Sequence, residues 1–119
     1  MHTYSFEKLE TWQIARSFRK DIYQLVKKIP KEEVFGLTSQ IKRSASSIGD
    51  CIAEGSARIT AKDKAHFIVM AYSSAIETVN HIIGAYDLEY INEEEYKSFR
   101  LRLDEIANKL NALRKSILR

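Results

Sequence analysis

One cysteine, one proline and four glycines among 119 residues leave this chain few means of breaking a helix. So little punctuation argues against many short strands joined by turns and for a few long helices. The lone Cys51 excludes an intrachain disulfide and fits a reducing compartment. Long apolar runs are missing as well: charge interrupts each one well short of the length that crosses a bilayer, so no membrane partner is expected. The first residues, Met1-His2-Thr3-Tyr4-Ser5, carry neither the basic start nor the apolar stretch of a secretory signal, and the expected location is cytoplasmic. Nor does one sign of charge dominate. A net charge of +3 is mildly basic and by itself decides little about partners. What is present, 45% hydrophobic and 29% charged residues, is the balance of a globular chain, and the length suits a single domain over residues 1–119.

The apolar residues recur at helical spacing. Leu9, Trp12, Ala15, Phe18, Ile22, Leu25 and Ile29 share one face of a first helix predicted from about Phe6 to Ile29, with Pro30 as its stop. A second helix begins between Glu33 and Thr38 and runs to Glu54, its seam formed by Val34, Leu37, Ile41, Ala45, Ile48 and Ile52. Gly55 suits the left-handed turn past its end. The small run Ser44-Ala45-Ser46-Ser47, then Gly49, is poor in helix propensity but lets a neighbouring helix come close. Thr60 is the expected N-cap of a third helix reaching about Tyr90, with Asp63 as a short capping partner. That helix is apolar over more than half its circumference, as expected of one buried inside a bundle and against another subunit. Asn92 and Glu95 form a capping box for a fourth helix, Ile91 and Tyr96 are spaced as a hydrophobic staple, and Tyr96, Phe99, Leu103, Ile106, Leu110, Leu113 and Ile117 make its seam. Four amphipathic helices with three short connections predict an all-α fold: an antiparallel up-down-up-down four-helix bundle.

Catalytic chemistry finds little support. Glu77 and His81 stand one turn apart, but the step is one residue longer than in di-iron bundles and occurs once, so no metal is expected. Ser47, Asp50 and His66 lack a strained nucleophile turn and an oxyanion hole. Cys51 has no basic neighbour in sequence and reads as an inert buried thiol. The glycines build no phosphate-cradling loop, and no cofactor is implied. The expectation is a protein that binds and does not catalyse.

Two polar features exceed what a bundle needs. Gln40, Arg43, Ser47, Asp50 and Glu54 fall at steps of three and four, and Ser74, Glu77 and His81 form a matching line on the third helix. Antiparallel folding of the two helices brings Arg43 to Glu77, and such a stripe serves helix register or a partner surface. The other feature is basic: Arg16, Lys20, Tyr23 and Lys27 line the first helix, with Arg19, Lys28 and Lys31 beside them, and Lys42, Arg43, Arg58, Lys62 and Lys64 on or near the second connection. Tyrosine among Lys and Arg permits base stacking as well as phosphate contact, which points to RNA or DNA; the same pattern also occurs on ordinary solvated faces.

The run Phe35-Gly36-Leu37-Thr38-Ser39-Gln40-Ile41-Lys42-Arg43-Ser44-Ala45, followed by Ser47-Ile48 and Ile52-Ala53-Glu54-Gly55-Ser56-Ala57-Arg58, resembles the signature of the 23S rRNA intervening-sequence protein family. Leu9, Glu10, Trp12, Ala15, Ile22-Tyr23, Ile29-Pro30, Ser74 and Glu77 extend the likeness over nearly the whole chain. Gly49 and Cys51 depart from it, standing where the family often has proline and asparagine. The resemblance implies a bacterial four-helix bundle that assembles as a homopentamer. It also implies similarity to the accessory protein of diversity-generating retroelements, a bundle that partners a reverse transcriptase and binds nucleic acid. Two functions follow as expectations: an RNA- or DNA-binding oligomer using Arg16, Arg19, Lys20, Tyr23, Lys27, Lys28 and Arg58, or a protein-binding scaffold whose partner supplies the chemistry.

Overall fold

The computed structural model describes residues 1–119 as four α-helices with no strand: α1 (Glu10–Leu25), α2 (Leu37–Ser56), α3 (Ala61–Asp87) and α4 (Glu93–Ile117). Each helix packs on the next, α4 returns to α1, and the backbones of the diagonal pairs stay apart. That pattern is the up-down-up-down bundle. Its antiparallel sense is marked by cross-helix partners: Trp12 with Gly49 and Tyr23 with Ser46 between α1 and α2, and Arg43 with Glu77 and Gly55 with Phe67 between α2 and α3. The seam residues Phe18, Ile22, Ile41, Ile48, Ile52, Ile82, Leu103, Ile106 and Leu110 are fully buried in one core.

The first helix is shorter than its periodicity suggests. Leu9 is extended (φ −73°, ψ 124°), and the residues before it form a separate 3-10 turn, Ser5–Lys8, whose Glu7 side chain accepts the Tyr4 N–H at 2.7 Å. At the other end Val26–Lys28 tightens into a 3-10 turn before Ile29 is forced extended by Pro30. α2 starts at a side chain from outside the helix: Glu33 Oε1 accepts the Leu37 N–H at 3.3 Å, while Glu33 Oε2 accepts the Tyr90 hydroxyl at 3.1 Å. One carboxylate thus ties the first connection to the third.

Gly55 does not cap α2. The helix continues through it to Ser56, no glycine has positive φ, and Gly55 is buried where a Cβ would lie 2.8 Å from Phe67 Cβ. Its role is close approach between α2 and α3. The left-handed residue of the chain is Glu89 (φ 61°), which ends α3 at Asp87, three residues short of Tyr90. The Tyr90 N–H bonds to Ala85 O at 2.9 Å and the Glu89 N–H to Tyr86 O at 3.0 Å, the double closure of a Schellman motif made without glycine. Thr60 accepts the Asp63 N–H at 3.1 Å. At α4 the capping box is complete: Asn92 Oδ1 accepts from Glu95 N at 2.8 Å and Glu95 Oε1 accepts from Asn92 N at 2.9 Å.

α1 and the 3-10 turn that follows it are joined to α4 by three ion pairs, Glu10–Lys109, Asp21–Arg102 and Lys28–Glu95. Arg102 also lies over the rings of Phe18 and Phe99, 5.3 and 5.5 Å from their centroids, so its stem packs as well as its charge.

Three consequences are measurable. Gly55→Ala forces a methyl against Phe67 and lowers stability by about 1–3 kcal/mol in urea denaturation. Gly84→Ala meets nothing within 4 Å and raises stability by about 0.5–1 kcal/mol, because a mid-helix glycine loses more backbone freedom on folding. The Asn92 N–H and the Lys28 ammonium hold the Glu95 carboxyl below its usual range. A lowered folded-state pKa gives stability that is full above the unfolded value, about 4.3, and is lost as pH falls through the folded value. Glu95→Gln is therefore less stable than the native chain at neutral pH, and the gap closes as the solution is acidified, read from urea midpoints across a pH series.

Candidate nucleic-acid interface

α1 turns Ala15, Phe18, Ile22 and Leu25 into the core. This leaves Arg16, Arg19, Lys20 and Tyr23 along the side that faces α2 and solvent. The Tyr23 hydroxyl is 3.5 Å from Ser46 Oγ, and Lys42 Nζ lies 5.0 Å from the Tyr23 ring centroid. The Arg16 guanidinium is 5.5 Å from the Trp12 ring, and Phe6 meets that ring edge-on at 5.0 Å. Between the helices lies a cavity of about 200 Å³, bounded by Phe6, Trp12, Arg16, Arg19, Gly49 and Asp50 among others. Arg16 and Arg19 also border an open shelf on α1 that they share with Gln13, Ser17 and Lys20 and that has no apolar lining residue. None of Arg16, Arg19, Lys20 or Asp50 makes an ion pair; the six in the structure belong to other residues.

The remaining basic residues are dispersed. Lys27 donates to Gln24 at 3.1 Å within its own helix turn. Lys28 is turned toward α4 and paired with Glu95. Arg58 sits beyond the end of α2, its guanidinium 4.3 Å from the Phe67 ring. The four cationic and aromatic groups at positions 16 to 23 therefore form a cluster that the other three do not join.

The polar stripe is largely spent inside the molecule. Arg43 donates to Gln40 at 2.9 Å and pairs with Glu77, which also lies 3.2 Å from His81 Nε2. Ser74 donates to Ser47 at 2.9 Å. Beneath these, the Thr78 hydroxyl lies 2.9 Å from the Ser44 hydroxyl, both fully buried, a cross-link that periodicity alone does not reveal because Ser44 falls in a run readable simply as small. Glu54 is exposed and has no side-chain partner in the stripe, and Asp50 faces the α1 cavity. Cys51 is buried with Sγ 3.7 Å from Ser47 Oγ; burial pushes its thiol pKa up, which keeps it protonated. No three His, Cys, Asp or Glu side chains converge as metal ligands would, and no helix is long and apolar enough to cross a membrane.

No curated protein matches the sequence. Among solved structures, the fold is similar to a crystal structure of a protein of unknown function from the S23 ribosomal protein family of Bacteroides thetaiotaomicron, with a TM-score of 0.82 at 27% identity, covering 88% of this chain and 98% of that one. The family model for the 23S rRNA-intervening sequence protein matches residues 7–112, which takes in all of α1, α2 and α3 and most of α4. The chain belongs to the 23S rRNA-intervening sequence protein family.

Proposed function

We propose that the protein is a non-enzymatic nucleic-acid-binding module that holds RNA on the α1 side of the bundle. The observation that carries this reading is the set of unpaired cations at Arg16, Arg19 and Lys20 on one polar shelf, beside the exposed ring of Tyr23. Five other cations, Lys28, Arg43, Lys97, Arg102 and Lys109, face carboxylates and are less available to a polyanion. An unmatched cluster attracts a polyanion, and the neighbouring aromatic ring adds a surface for an unpaired base. The Arg43–Glu77 stripe, in this reading, fixes the register of α2 against α3 and leaves binding to α1. Homo-oligomerisation, to a pentamer by family resemblance, repeats the α1 surface about an axis and strengthens a field that one chain of net charge +3 lacks. The outward apolar residues Val69 and Ile76 on α3 are the surface assigned to that self-association.

A second reading is favoured by apolar residues at both ends of α2. Phe35 and Ile59 are each 94% exposed, which suits a scaffold that docks a protein partner.

The test is the salt dependence of RNA binding. Each phosphate neutralised on a single strand contributes a slope of about −0.7 to log K against log salt. The triple variant Arg16→Ala, Arg19→Ala, Lys20→Ala should flatten the slope by about 2 if the three cations each meet a phosphate. Lys28→Ala, whose charge is already paired, should leave it unchanged. A native slope near zero overturns the proposal in favour of the scaffold.

A further inference from the structure

The cavity between α1 and α2 is unusual for this molecule in its chemistry. Asp50, Arg16 and Arg19 all border it, and none of their charged groups has an ionic or hydrogen-bonded partner, the Arg16 guanidinium lying over the Trp12 ring. The Trp12 indole N–H faces Gly49, and no protein acceptor meets it: a Cβ at Gly49 would stand 3.7 Å from Trp12 Nε1. Half of the ten bordering residues are hydrophobic, with Phe6 and Trp12 the aromatic ones. The arrangement is an apolar slot with one free acceptor group, two free bidentate donors and one free single donor at its edges.

Size and polarity select the ligand class. At about 200 Å³ the cavity lies below the range of about 300–1,000 Å³ that encloses whole drug-sized ligands. It suits one ring system whose remaining atoms stay outside. A carboxylate needs two adjacent N–H donors to be met by both oxygens. Guanine offers that pair on its Watson–Crick edge, N1–H beside N2–H. Adenine and cytosine set a single amino donor next to a ring acceptor, and uracil places its one N–H between two carbonyls that repel the carboxylate. Guanine also carries the O6 and N7 acceptors that an arginine fork matches. The Watson–Crick edge is free only in an unpaired strand.

We propose that this cavity receives a single guanine of an unpaired RNA strand, with Asp50 reading its Watson–Crick edge, a deepening that rests on the α1 surface being the RNA-binding face. Arg16 and Arg19 border both the cavity and the polar shelf, so a base in the first places its own backbone along the second. Gly49 has a role here that neither a turn nor a helix cap explains: it keeps α2 free of a side chain beside the Trp12 N–H.

Trp12 is the only tryptophan, so its fluorescence reports occupancy of this cavity, and the anisotropy of an end-labelled strand reports binding anywhere on the chain. Two RNA strands of about ten nucleotides, within the span of single-stranded binding sites, are titrated at one salt concentration: oligouridylate, and the same strand with one central guanine. The guanine strand should bind about fivefold tighter or more, the lower end for one bidentate base contact. Asp50→Asn and Asp50→Ala, both at an exposed helix position, should bring the ratio of the two affinities to near one. Equal affinities in the native chain, or a preference untouched by either substitution, overturn the guanine assignment while leaving RNA binding in place. Absence of binding to both strands at low salt removes the RNA reading and this inference together.

Discussion

The structure depends on how closely α2 and α3 approach. Small residues of α2 make this contact: Ser44 meets Thr78, Ser47 meets Ser74 and Gly55 meets Phe67. The methyl that Gly55 lacks would collide with Phe67, so the distance between the two backbones is set there by the absence of one atom. Hydroxyl and ionic cross-links at Ser44–Thr78, Ser47–Ser74 and Arg43–Glu77 then fix how far one helix slides along the other. A buried hydroxyl left unpaired costs about 1–3 kcal/mol, so a shift of one helical turn that separates these partners is disfavoured well beyond the loss of apolar contact. With α2 committed to α3 on this side, its other side carries Ser46, Gly49 and Asp50 toward α1. There the facing residues Trp12 and Phe6 are large and leave a cavity.

The two seams that α1 makes distribute charge unequally. Between α1 and α4 the gap is spanned by carboxylate–cation pairs spaced along the bundle, and Lys28 and Arg102 are consumed in it. Exposed pairs of this sort contribute little each, a median of about 0–1 kcal/mol, but they decide which cations remain available. On the α2 side of α1, Arg16, Arg19 and Lys20 have no such partners. A small net charge therefore conceals a local excess, and a polyanion meets the local potential.

Helix number, order and the core seams were legible in the sequence because they depend on periodicity, which is local. The α4 start was legible for the same reason: Asn92, Glu95, Ile91 and Tyr96 lie within six residues of one another. The ends that resisted were tertiary. Glycine after an apolar run serves equally as a left-handed cap or as a point of close approach, and only the arrival of Phe67 from α3 separates the two at Gly55. Conversely, the Schellman turn at Glu89 carries no glycine to announce it. The same limit applies to the basic line. Lys20 and Lys28 look alike on a helical projection, yet only Lys28 lies across from a carboxylate, and that depends on where α4 passes. Asp50 read as one more position of the α2 stripe, although the bundle turns it to the cavity beside Trp12.

The claim that the α1 side of the bundle is the nucleic-acid surface is tested most directly by photo-crosslinking the full chain to single-stranded RNA and mapping the attached peptides by mass spectrometry. Attachment at Trp12, Tyr23 and their immediate neighbours is the predicted result. Crosslinks confined to α3 and α4, or to the Phe35 and Ile59 connections, would contradict it.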